Sequence, residues 1–121
     1  MSVEKLLWKF VRCCVNRAFA NIDLKRLEGD ERFTFENLLD ELRSSEQNWR
    51  SITDFINFVT KDFESIYIRY RDKFRDPKII DEFFLNIIRF LLELDEVKYL
   101  PDLVHSVRVL ENKIRENLEK Y

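Results

Sequence analysis

Apolar residues recur at intervals of three and four along almost the whole chain, and no stretch alternates strictly as a half-buried strand would. The first helix carries Val3, Leu6, Leu7, Phe10, Cys14 and Ala18 on one face, with Ser2 placed to cap it. Its end has two readings. Either Asn21 or Asp23 breaks it near residue 20, or it runs on through Ile22 to Leu27, with Lys25 and Arg26 in a last turn and Gly29 as the stop. A short second helix is predicted from Thr34, with Phe35, Leu38, Leu39 and Leu42 as its buried side. Phe33 before that cap and Leu38 after it have the spacing of a hydrophobic staple.

The third helix is the longest, covering about residues 46–75. Trp49, Ile52, Ile56, Val59, Phe63, Ile66, Tyr67, Tyr70 and Phe74 hold its stripe, its start lies between Ser44 and Ser51, and Asp76-Pro77 ends it. The same dipeptide opens the fourth helix: Asp76 is the cap and Pro77 takes the first helical position, where a missing N–H costs nothing. That helix reaches about Leu94. A fifth follows Pro101, with Leu103, Val107, Leu110, Ile114 and Leu118 on one face. Five helices with short connections predict an all-α fold, a single compact bundle over residues 1–121.

Composition removes chemistry from this picture. One glycine and two prolines in 121 residues nearly exclude a Gly-rich phosphate loop or a turn-dense all-β fold. Cys13 and Cys14, the only cysteines, are neighbours that point about 100° apart on a helix, so a disulfide-stapled secreted domain is not expected and a reducing cytoplasm is. Lys5 and Lys9 interrupt the N-terminal apolar pattern with no small-residue cleavage site, so no signal peptide is expected. No apolar run approaches the roughly 18 residues of a bilayer span, so no membrane partner is expected. His105 is the only histidine, and no local signature sets a nucleophile beside it. Cys13, Cys14, His105 and one acid match no zinc spacing, and Asp102 with His105 lacks the second histidine that a di-iron bundle requires. Glu36 and Asp40 sit on a polar face, without the contrast of environments that acid–base catalysis needs. The chain does not read as an enzyme, and no cofactor, metal or small-molecule substrate is expected.

Charge comes in blocks although the net is only −2. Residues 1–27 carry six basic and two acidic side chains, 28–68 four and ten, 69–78 five and two, and 79–102 two and six. Three surfaces stand out. On a wheel at 100° per residue, Lys5, Lys9, Arg12 and Asn16 share an arc of about 60° with no acid, and Trp8 lies at its margin. Such a stripe suits a phosphate backbone, or serves only to keep the chain in solution. Arg69, Arg71, Lys73 and Arg75 form a second basic cluster, which flanks the apolar stripe on both sides and is diluted by Asp72 and Asp76. The fourth helix is apolar over an arc of about 240°, far wider than the stripe of a surface helix. It is either wrapped by the other four or turns Leu85, Ile88 and Leu92 toward a second chain.

The leading expectation is a non-enzymatic assembly or adaptor subunit that contacts a protein partner or further copies of itself. The alternative is a subunit that binds a nucleic-acid backbone. In size, helix count and paired basic faces the chain is similar to the helical small subunits of CRISPR ribonucleoprotein effectors, a likeness carried by Lys5, Lys9, Arg12 and the 69–75 cluster and by no diagnostic motif. The resemblance implies a subunit that lines a nucleic-acid strand without catalysing a reaction.

Overall fold

Polar side chains fix several of the helix starts. The structure, a computed structural model, describes residues 3–45 and 49–120. The predicted Ser2 cap, residues 46–48 of the predicted third helix and the side chains of Val3 and Leu7 lie outside what is described. Helix accounts for 82%, against about one third in an average globular domain, and no strand occurs among the described residues. Among the described residues six helices follow one another. α1 (3–20) runs unbroken through Val3–Lys9, Phe10–Val15 and Asn16–Ala20. α2 is Glu31–Ser44, and α3 (52–71) joins Ile52–Asn57, Phe58–Asp62 and Phe63–Arg71. α4 is Lys78–Glu93, α5 the single turn Asp95–Lys98, and α6 Pro101–Glu119.

Local hydrogen bonds explain these boundaries. The Asp23 carboxylate accepts from the Lys25 N–H at 3.0 Å and starts a separate 3₁₀ turn, Leu24–Arg26, so α1 stops at Ala20 rather than running on to Leu27. α2 starts at Glu31, ahead of the expected Thr34, because the Glu31 carboxylate reaches back to the Glu28 N–H at 2.9 Å. Phe33 therefore lies inside the helix, 67% exposed, and forms no staple. Ser51 Oγ accepts from the Asp54 N–H while Asp54 Oδ2 accepts from the Arg50 N–H at 2.8 Å, which places the start of α3 at Ile52. Asp76 Oδ1 accepts from the Lys78 N–H at 3.1 Å, and α4 opens at Lys78, so Pro77 stands just before the helix rather than in its first position. α3 ends at Arg71, and Phe74 is buried in the turn that follows. The one-turn α5, with Val97 buried beneath it, was not expected from the pattern.

The middles of α1 and α3 are wound as π turns. The Asn16 N–H donates to the Val11 carbonyl and the Phe63 N–H to the Phe58 carbonyl, each five residues back. Phe10 and Phe58 sit in these two turns and meet edge to face at 5.7 Å. Phe10 also contacts the rings of Trp49, Phe55 and Phe63, making an aromatic cluster between α1 and α3. α4 is the central element. Ile79, Ile80, Phe83, Phe84, Ile87, Ile88 and Leu91 have no accessible surface, because α1, α3, α5 and α6 pack around them and Phe35 of α2 meets Phe83 at 5.0 Å. Among the described residues no helix is long and apolar enough to cross a membrane.

Candidate interaction surfaces

α1 turns its polar arc outward, but the cations on it are not equivalent. Lys9 is half-buried and its ammonium lies 2.6 Å from the Glu96 carboxylate of α5. That bond, against the opposing effect of burial and helped by a backbone hydrogen bond and the charges of Lys9 and then Lys5, holds the Glu96 carboxyl below the usual carboxylate range. Asn16 is also engaged, its Oδ1 accepting from Arg43 Nε and Nη2 at 3.0 and 2.7 Å. Lys5 and Arg12 are exposed, as is Trp8 between them, at 58%.

The 69–75 cluster is largely neutralised within the fold. Arg69 pairs with Glu41 of α2 at 2.6 Å, and Arg75 with Glu28 at 2.8 Å. Arg71 turns inward to Asp81, with Nε and Nη2 both 3.2 Å from the carboxylate oxygens. Asp81 is fully buried and also accepts from the Tyr67 hydroxyl at 2.5 Å, and Asn117 Nδ2 donates to that hydroxyl at 3.1 Å. Burial and the bond to Asp81 push the Tyr67 phenol up to about 12. Lys73 is the member with no acidic partner among the described residues; its ammonium lies 4.8 Å from the centre of the Tyr70 ring. The four cations therefore form no continuous track. Tyr67, Tyr70 and Phe74 are core residues.

The flank of α4 divides. Ile88 is completely buried and offers no surface, whereas Leu85 and Leu92 are half-buried in a groove of about 590 Å³ between α4 and α6. Arg89, Arg108 and Arg115 rim that groove. Each is ion-paired: Arg89 lies 3.9 Å from Glu93, and Arg108 and Arg115 lie 3.2 and 3.5 Å from Glu111. Glu111 is buried beneath its two arginines, and Glu82 is held by Arg26 at 2.5 Å. Glu93 also lines the groove with its side chain half exposed, so the rim carries both signs of charge. The α6 side of this groove was missed in the sequence. A signal existed, since Glu111 interrupts the apolar stripe with Arg108 three residues before and Arg115 four after.

Other sequence candidates stay apart. His105, Glu36 and Asp40 are exposed. Cys14 is buried, which pushes its thiol up to about 12, and Cys13 is partly covered; both are free thiols. Among the described residues no three His, Cys, Asp or Glu side chains are grouped to hold a metal ion. No known family model, curated protein or solved structure matches this chain.

Proposed function

We propose that this chain is a non-enzymatic helical subunit that joins a larger assembly through protein contacts at the α4/α6 groove. One observation carries the reading: Leu85 and Leu92 are the part of the wide apolar arc of α4 that the fold leaves accessible, and a rim of arginines and glutamates frames them. An apolar floor inside a polar rim is the usual anatomy of a protein-binding patch. A photo-cross-linking side chain placed at position 92, in cells that make the protein, is expected to trap polypeptide. The same side chain at exposed position 61 is the control. Trapping of nucleic acid alone, or equal yield at both positions, defeats the reading.

A nucleic-acid reading keeps one specific support, the exposed indole of Trp8 between Lys5 and Arg12 on α1. Stacking on an aromatic ring flanked by cations is how single strands are bound without sequence preference. Titration with single-stranded RNA is expected on this reading to quench Trp8 fluorescence and to weaken steeply with salt. Unchanged fluorescence at low salt removes it.

A further inference from the structure

A second cleft, of about 510 Å³, separates the end of α2 from α3. Asp54, Asn57, Asp62, Ser65 and Arg69 line it along α3, in steps of three, five, three and four residues. The step of five crosses the π turn Phe58–Asp62, whose wider winding keeps Asp62 on the flank that carries Asp54. The charges on this wall are not equivalent. Arg69 is the one cation lining the cleft among the described residues, and its two Nη atoms are taken by the two oxygens of Glu41 at 3.3 and 2.6 Å. That pair leaves no net charge. Asp54 accepts one main-chain N–H, from Arg50, and Asp62 accepts no hydrogen bond from any described residue. Neither carboxylate has a cationic partner among the described residues, and the exposed Arg50 and Lys61 do not line the cleft.

Trp49 adds an observation of a different kind. It is 8% exposed, held by the rings of Phe10, Phe55 and Phe58, and still lines the cleft. The indole N–H is a donor only, and in a buried tryptophan it ordinarily has an acceptor. Here it has none among the described residues and, not being sealed from solvent, it reaches the cleft. The cleft thus offers two unpaired anions and one unpaired donor, and its volume is that of a small-molecule site.

We propose that this cleft binds a small dibasic amino acid of the arginine kind. The ligand's α-ammonium and its guanidinium take Asp54 and Asp62, and its carboxylate accepts from Trp49 Nε1. Asp54 and Asp62 stand about 12 Å apart along α3 at about 1.5 Å per residue, so the two cations must sit at opposite ends of a chain. A guanidinium matches a carboxylate in two parallel hydrogen bonds, which favours arginine over lysine. Other occupants fit less well. A polyamine has no acceptor for the indole, and a sugar finds no open ring face, since Trp49 and Phe58 are both buried. No three ligating side chains are grouped for a metal ion among the described residues.

The test titrates L-arginine into the purified full chain, with calorimetry for affinity and tryptophan emission for place. Trp8→Phe, a change at an exposed position, leaves Trp49 the only indole. Arginine is expected to bind at one site per chain and to change Trp49 emission with the same saturation curve. Asp62→Asn alters an exposed side chain without a partner, and is expected to weaken binding by more than about tenfold with an unchanged melting curve. On the unaltered chain, L-citrulline, which lacks the side-chain charge, and agmatine, which lacks the carboxylate, are each expected to bind at least about tenfold more weakly than arginine. The agmatine comparison probes the Trp49 contact without disturbing the aromatic cluster. Absence of saturable binding, equal affinity for arginine and either analogue, or an Asp62→Asn chain that binds as wild type each overturns the proposal. The cleft shares no lining residue with the α4/α6 groove, so its failure leaves the adaptor reading standing.

Discussion

Arg71 and Arg75 lie four residues apart in one basic run, yet the fold uses them in opposite ways. Arg71 is 14% exposed against an Asp81 with no exposure, whereas Arg75 and Glu28 are 82% and 64% exposed. The buried pair has Tyr67 and Asn117 around it to complete the hydrogen bonding. The outer pair is separated by 2.8 Å, as close as many strong bonds, but water screens it and both side chains lose freedom to form it. Distance therefore says little here, and burial decides what each pair contributes. Local charge density in a sequence does not distinguish a cation that reaches solvent from one committed to the interior.

The sharpest contrast is expected from Arg71→Ala, which strands a buried carboxylate and should cost about 3–5 kcal/mol in urea unfolding. A loss no larger than that of Arg75→Ala would erase the distinction. Next in size, the α4 flank should divide in the same manner: Ile88→Ala should cost about 2–5 kcal/mol, and Leu92→Ala, half-exposed at the groove, clearly less. Equal losses would place Leu92 in the core and remove the groove from consideration. Tyr67→Phe should cost about 1–3 kcal/mol by leaving Asp81 short of a donor. This variant also sharpens the picture through pH. The Tyr67 phenol keeps its proton up to about 12 against an ordinary 10.0, so its contribution is complete below the lower value and is lost as pH rises through the upper one. The stability gap between wild type and Tyr67→Phe should accordingly narrow in alkaline urea titrations. Smallest of all, Arg75→Ala should shift stability by less than about 1 kcal/mol, and by less still in high salt.

What could be read in advance follows the range of the forces involved. Helix existence and the break at Asp76-Pro77 rest on contacts between near neighbours; the structure has the helices and opens α4 one residue later, at Lys78. At the α2 start two local signals compete: the staple spacing of Phe33 and Leu38 points to Thr34, and the Glu31 carboxylate prevails by closing on Glu28. On the helical wheel Asp81 falls inside the apolar arc of α4, between Ile88 and Leu92, so its burial was legible. Its partners on α3 and α6 were not. Lys9 stood out as part of a free basic stripe because Glu96, 87 residues away, leaves no mark on the local pattern. The groove was half visible for the same reason: Leu85 and Leu92 showed as the edge of an arc, while Arg108 and Arg115 arrive from another helix.

The two π turns bear on how the chain tolerates changes of length. A widened turn absorbs one surplus residue without rotating the segments on either side. Deleting one residue within Phe58–Asp62 would let that stretch close to ordinary α winding, with Ile52–Asn57 and Phe63–Arg71 keeping their present faces toward the core. The same holds for Phe10–Val15 in α1. Most bundles confine insertions and deletions to loops, because a single added residue inside a helix swings everything beyond it by about 100°. Here two such positions exist in the interior, and their aromatic residues Phe10 and Phe58 face one another.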